Sequence, residues 1–283
     1  MIPHPFPWRL AGRLIAGPLQ RLFSTMPHVG YGIGHPQLTR LACDHAPLHG
    51  HRAVQLSDLH LDRFTHRHDH VIRMVADLRP SWIFITGDLL NHRSGLPHLF
   101  RFLHWLRRTA PVFITLGNHD HYSGVSIDEF DALAARHDIT LLVNRTVTIP
   151  VGADASALTI VGVDDPSLSR ARVDCIPPRR DGGYTVLLAH APNILEALHP
   201  RHEVDLILCG HSHGGQWRPP NIRPFWLPPG CHGRAEGLHE RGRHRLYVNR
   251  GLGWSIVPFR WNCAPEVLLI EWVDAALHQR TAA

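Results

Sequence analysis

The sequence predicts an α/β domain, and three observations carry that prediction. Short β-rich apolar runs recur after His51, helical patterns separate several of them, and each run ends in a polar or glycine-containing turn. The runs lie at 53–57, 82–86, 112–116, 158–163, 185–189 and 206–209, with later strands at 245–249 and 267–272. Between them, Leu99, Phe102, Leu103 and Leu106 share one helical face. Ser126 and Glu129 form a capping box ahead of Phe130 and Leu133, and Asn193 with Glu196 predicts the cap of another short helix. Residues 218–237, rich in Pro, Gly and Arg, read as an irregular loop, and no internal repeat is evident. A sheet of this kind carries its functional groups on the loops at the strand ends.

With 283 residues, 44% apolar and 19% charged, the chain is globular rather than disordered. All 29 basic side chains are arginine, and 23 prolines accompany 25 histidines, so the histidine count reflects composition before it reflects chemistry. The formal charge of +5 is uneven: residues 1–52 hold five arginines against the single acid Asp44. That surplus belongs to an N-terminal arm and argues against a nucleic-acid partner. The expected organisation is therefore a basic amphipathic arm at 1–52, a folded domain at 53–275 and a short tail at 276–283. Five cysteines without a C-x-x-C spacing indicate reduced, structural thiols.

No apolar run reaches the roughly 18 to 20 residues that span a bilayer. In the arm, Trp8, Ala11, Ile15, Leu19 and Leu22 share a helical face that Arg9, Arg13 and Arg21 largely avoid. Residues 8–23 thus fit peripheral membrane contact. Gly12, Gly17 and Pro18 weaken such a helix, and docking of the arm on its own domain is the alternative. Arg13 and Arg21 also break the apolar region of a signal peptide, so the expected location is cytoplasmic, peripheral at the inner face of the membrane.

The polar residues at the strand ends are the informative ones. Asp58 and His60 follow the first run, Asp88 the second, and Asn118, His119 and Asp120 the third; His190, then His211 and His213, follow two later runs. Any one of these motifs fits a structural role, whereas five at one topological address indicate metal chemistry. Imidazoles, carboxylates and one amide oxygen suit divalent ions such as Mn, Fe or Zn. Two ions roughly 3.5 to 4 Å apart clamp a phosphoryl group and turn a bridging water into hydroxide near neutral pH, with one carboxylate as the bridge. Glycines beside Asp88, Asn118 and His211 suit turns where backbone approaches the ions. His66, His68 and His70 are not read as a third cluster, because they precede an expected helix and only Asp62 and Asp69 lie near.

Asp58-x-His60, Gly87-Asp88, Gly117-Asn-His-Asp120, His190 and Gly210-His-x-His213 resemble, in that order, the motifs of the calcineurin-like metallophosphoesterase superfamily over residues 53–272. Gly-Val-Asp164-Asp165-Pro, the stretches 210–216 and 247–253, and Pro258-Phe-Arg260 make the resemblance nearest to the YaeI/YkuE-like phosphodiesterase branch. The resemblance implies a four-layer α/β/β/α sandwich with a dimetal site at its strand ends. It implies Asp58, His60, Asp88 and His213 at one metal, and Asp88, Asn118, His190 and His211 at the other, with Asp88 as the bridge. His119 becomes the non-ligand histidine that stabilises the transition state or protonates the leaving oxygen, and Asp120 the group orienting its imidazole. The implied reaction is hydrolysis of a phosphodiester or pyrophosphate by metal-bound hydroxide, without a covalent enzyme intermediate.

Departures from related groups narrow the substrate. Asn91 and His92 stand where resemblance to Ser/Thr protein phosphatases requires Asp and Arg, and the tyrosine ligand of purple acid phosphatases is missing. The lipid A pathway hydrolase of UDP-diacylglucosamine carries Arg in place of His119, while histidine-bearing relatives are implicated in the same hydrolysis. The expectation is a nucleotide-linked lipid of the UDP-diacylglucosamine kind, with Asn193, Gln216 and Arg250 facing it. The loop bearing Arg218, Arg223, Phe225, Trp226 and Arg234 then either supplies cations and an apolar wall or packs upon itself. The alternatives are a nuclease, a cyclic-nucleotide phosphodiesterase, or a non-catalytic scaffold of the same fold. Retention of all seven ligand positions and His119 weighs against the scaffold.

Overall fold

Side chains alternate between the faces of a strand, and strands that are apolar on both faces must be covered twice. In the computed structural model, which describes residues 29–31, 35–151, 156–179, 181–218, 222–255 and 259–276, two packed sheets satisfy that requirement. In chain order the strands are β1 (Val29–Tyr31), β2 (Gln37–Asp44), β3 (Arg52–Leu56), β4 (Trp82–Thr86), β5 (Val112–Thr115), β6 (Thr140–Leu141) and β7 (Arg145–Pro150). There follow β8 (Ala157–Gly162), β9 (Tyr184–Leu188), β10 (Leu206–Cys209), β11 (Gly237–Arg241), β12 (His244–Val248), β13 (Phe259–Trp261) and β14 (Glu266–Val273). The helices are α1 (His66–Leu78), α2 (Leu96–Arg107), α3 (Asn118–Tyr122), α4 (Ile127–Arg136) and α5 (Ile194–Ala197).

The first sheet has the order β2-β14-β3-β4-β5-β6 and the second β11-β12-β10-β9-β8-β7, while β1 and β13 form a separate antiparallel ribbon. Strands β3 to β6 run parallel, as do β8, β9, β10 and β12, so their C-terminal ends are presented along one edge of each sheet. Ala53, Phe84, Phe113, Leu268 and Ile270 of the first sheet meet Leu158, Ile160, Val186, Leu188 and Leu208 of the second. On the far side of the first sheet, Val54, Leu56, Ile83, Ile85 and Ile114 pack on α1, α2 and α4 through Val71, Val75, Leu99, Phe102, Leu103, Leu106 and Phe130. Ile194, Leu195 and Leu198 cover Val161, Leu187 and Ile207 on the outer face of the second. These are the four layers that the resemblance implies.

The structure departs from the sequence reading at several elements. Strand β2 pairs with β14 at all eight of its positions, and Leu41, Cys43 and Leu48 enter the core between the sheets. A boundary after residue 52 therefore cuts through the folded unit; only Leu41 and Cys43 of this edge strand are buried, which hides it in a sequence scan. His66, His68 and His70 lie inside α1 rather than ahead of it, and His68 Nδ1 accepts the Thr65 N–H at 2.9 Å to close the first turn. Ser126 caps α4 through the Glu129 N–H as expected, but Asn193 makes no cap and donates instead to the Pro166 carbonyl. All five cysteines are unpaired thiols. The expected membrane-contact segment 8–23 and residues 277–283 of the tail lie outside the described residues, among which no helix is long and apolar enough to cross a membrane.

Candidate dimetal site

The two sheets meet at their C-terminal edges because Gln55 of β3 donates across the gap to the Cys209 carbonyl, at 3.0 Å, and to Thr86 Oγ1. The loops that leave these strands turn sharply. Asp58, His60, Asp88, His211 and His213 all have positive φ, between 43° and 68°, a conformation that side-chain-bearing residues adopt at a cost. Two glycines permit the approach of neighbouring loops: a Cβ on Gly117 would sit 2.3 Å from Asp88 Oδ1, and one on Gly210 would sit 1.9 Å from Ser57 Oγ.

Four of the sequence-derived ligands converge tightly. Ligand atoms of Asp58, His60, Asp88 and His213 lie within 4.8 Å of one another, and all four residues are buried. His60 Nε2 stands 3.2 Å from His213 Nε2 and 3.5 Å from Asp88 Oδ2, and His213 Nε2 lies 3.4 Å from Asp58 Oδ1. On the other side of Asp88, its Oδ1 is 3.3 Å from His190 Nε2, which is 3.1 Å from His211 Nδ1. Asn118 Oδ1 is buried without a hydrogen-bond partner. An orphaned buried acceptor carries a penalty that a cation would remove. Converging ring nitrogens and this free oxygen fit divalent ions well.

The outer nitrogens of three rings are tied down, which fixes the nitrogen offered to the centre. His190 Nδ1 donates to the Thr86 carbonyl at 2.9 Å, and His211 Nε2 to the Pro229 carbonyl at 2.8 Å. His60 Nδ1 donates to Asn91 Oδ1 at 2.8 Å, and Asp62 holds Asn91 by accepting from its Nδ2. Burial pushes the imidazoles of His60 and His211 down to about 4, and that of His213 well below the usual range, so these rings are neutral and their lone pairs available. Burial also disfavours charge on His190, but the Asp88 and Asp58 carboxylates outweigh it and raise that ring. Asp88 is correspondingly lowered in spite of its burial, whereas burial pushes Asp58 up to about 6.

His119 stands at the rim, half-buried, with its ring edge-on to His60 at 4.7 Å and its backbone N–H on Asp88 Oδ1. Asp120 does not perform the expected orientation of His119. Its Oδ1 accepts the N–H groups of Leu89 and Leu90 and its Oδ2 that of Gly117, because the third residue of a helix points back at its own entry. Nor are the three expected substrate contacts simple: Gln216 is bonded through both ends of its amide to Ser255 backbone, and Arg250 lies among Glu236, Glu266 and Gln37. Asn193 has a buried, unpartnered Oδ1. In the loop that follows the site, Arg218 pairs with Glu236 and Arg234 with Glu196, while Trp217, Ile222, Phe225 and Trp226 are 40–76% exposed. Sequence reasoning missed the supporting groups Asn91, Asp62 and Arg260. Asn91 registered only as a departure from other families, and Arg260 only as part of a motif.

The chain is similar in sequence to known phosphoesterases. Residues 51–215 match the family model described as calcineurin-like phosphoesterase. The uncharacterized metallophosphoesterase YkuE of Bacillus subtilis is 32% identical over 225 residues, covering 77% of each chain. The phosphodiesterase YaeI of Escherichia coli is 30% identical, over 77% of this chain and 80% of its own. Among solved structures, TT1561 of Thermus thermophilus overlaps with a TM-score of 0.48 at 12% identity, covering 71% of this chain and 90% of that one.

Proposed function

Because the chain belongs to the calcineurin-like phosphoesterase family and is a metal-dependent phosphoester hydrolase, we propose that it cleaves the phosphodiester or pyrophosphate bond of a nucleotide-linked lipid of the UDP-diacylglucosamine class. One observation carries the two-ion reading: the Asp88 carboxylate turns one oxygen to His60 and the other to His190. On this reading Asp58, His60, Asp88 and His213 hold one ion, and Asp88, Asn118, His190 and His211 the other. Two such ions supply Lewis acidity to the phosphoryl oxygens and acidify water. His119, beside His60 and open to solvent, delivers a proton to the leaving oxygen. The name of YaeI supports diester chemistry, and the exposed apolar side chains from Trp217 to Trp226 support an amphiphilic substrate. Their loop continues to Pro229, whose carbonyl holds His211. The basic arm at 8–23 would then bring the enzyme to the membrane surface as a peripheral protein.

The test is a substrate panel on the purified full chain with added manganese: bis(p-nitrophenyl) phosphate, UDP-diacylglucosamine, cyclic nucleotides and single-stranded DNA. Chelator-sensitive hydrolysis, with UDP-diacylglucosamine preferred, is expected. Preference for DNA or cyclic nucleotides would replace the lipid by a nucleic-acid or cyclic-nucleotide substrate, and inactivity on every compound with several metals would leave a scaffold.

A further inference from the structure

Arg260 of β13 is among the largest fully buried side chains of the protein, 1% exposed, and among the described residues no carboxylate forms an ion pair with it. A buried cation without a counter-charge is costly, so it persists only where its donors are strongly used. Its fork reaches the backbone of one segment that carries an expected ligand, His213, and of a second, at Gly253, that is bonded to another. Nε and Nη2 both donate to the Gly253 carbonyl, at 2.9 and 2.5 Å, and Nη1 donates to the His213 carbonyl at 3.3 Å. Nη2 also faces His213 Nδ1 at 3.4 Å, on the side of the ring away from Asp58, and Nη1 lies 3.9 Å from Cys263 Sγ. Gly253 in turn donates its N–H to the Asp58 carbonyl at 2.7 Å. The guanidinium therefore reaches His213 directly and Asp58 through one glycine. The strand that bears it is fixed to the same loop, since the Trp261 N–H donates to the Gln216 carbonyl and the Arg218 N–H to the Trp261 carbonyl. None of its hydrogen bonds goes to His190, His211 or Asn118.

We propose that Arg260 is a positioning residue for one of the two metal positions: its fork holds His213 and, through Gly253, Asp58, so that this half of the centre depends on it and the His190/His211 half does not. The proposal rests on the two-ion reading above. A planar fork is required, because the donors must reach two carbonyls and a ring at once.

Metal-free full-length protein, Arg260→Gln and Arg260→Lys are titrated with Mn(II), bound metal is counted, and the manganese resonance spectrum is recorded alongside thermal unfolding of the metal-free forms. Wild type should bind two equivalents with a coupled-pair spectrum. Arg260→Gln should lose affinity for one equivalent by about 10- to 100-fold, as loss of a partner behind a ligand does, and show an isolated-ion spectrum at concentrations that saturate wild type. Arg260→Lys keeps the charge without the fork and should show the same one-sided loss; it decides the matter if Arg260→Gln does not fold. Two unchanged equivalents in a folded variant, or equal weakening of both, would overturn the role of Arg260. A single equivalent in wild type would instead remove the two-ion reading and the proposal with it.

Discussion

At the scale of single residues, His119 and Asp120 are neighbours with separable tasks. His119 has its ring edge-on to His60 at 4.7 Å; if it delivers the proton as proposed, His119→Ala should lower kcat by roughly 10²- to 10⁴-fold, the usual contribution of a general acid or base, while bound metal stays at the wild-type level. Equal turnover in the variant would remove it from the chemistry. Asp120 is buried and spends both oxygens on backbone N–H groups of the loop that carries Asp88 and the turn that carries Asn118. Asp120→Asn presents one N–H where an acceptor is needed, and should destabilise the fold by about 1–3 kcal/mol, the cost of an unsatisfied buried group. Denaturant unfolding checks it, with the shape of the pH–rate profile unchanged because His119 is not its partner. This contrast also marks what a sequence can disclose. The convergence of Asp58, His60, Asp88, His190, His211 and His213 is legible because donor types recur at strand ends. The direction of Asp120, and the fixing of Gln216 and Arg250 by their neighbours, depend on three-dimensional surroundings that spacing does not encode.

At the scale of elements, legibility followed burial. Strands β4 and β10 were located to the residue, since a strand apolar on both faces is a continuous run. Edge strands β2, exposed at alternate positions, and β7, with no buried position, left no such run. Helix α1 adds a cap that composition conceals: His68, one histidine among many, accepts from the Thr65 N–H and packs between Phe64 and Phe102. Burial lowers its imidazole to about 4, below the unfolded value near 6.5. The unfolded chain therefore takes up the proton first, so the stability contributed by neutral His68 is full above pH 6.5 and is lost as pH falls towards 4. A shift of that size corresponds to about 3 kcal/mol. His68→Gln, which can keep the cap without titrating, should flatten the pH dependence of unfolding free energy between pH 6.5 and 4. An unaltered slope in urea titrations across that window would assign the acid sensitivity to other groups.

At the scale of the whole molecule, the centre belongs to neither sheet. Asp58, His60, Asp88 and Asn118 follow strands of the first sheet, and His190, His211 and His213 follow strands of the second. Which sheets would face each other could not be read from apolar runs that look alike, although the order of the motifs placed all seven donors at strand ends. The sheets are joined by the apolar layer between them and, at this edge, by the Gln55 to Cys209 and His190 to Thr86 hydrogen bonds. Divalent ions gathered between these donors would add a further bridge, and unfolding would have to release them. Linkage then sets the size of the effect: at a thousandfold excess over Kd, each ion stabilises the folded state by about 4 kcal/mol, on the order of 10 °C in Tm for a domain of this size. Chelation of both ions should lower Tm by about twice that amount, and readdition of manganese should restore it. His190→Ala removes a proposed ligand from the second sheet together with a buried ring and its hydrogen bond to Thr86, so it should lower the metal-free Tm and, beyond that, reduce the further rise in Tm that manganese produces. If chelation leaves Tm where it was, the ions do not tie the sheets together, and the stability of this edge rests on its hydrogen bonds and apolar layer alone.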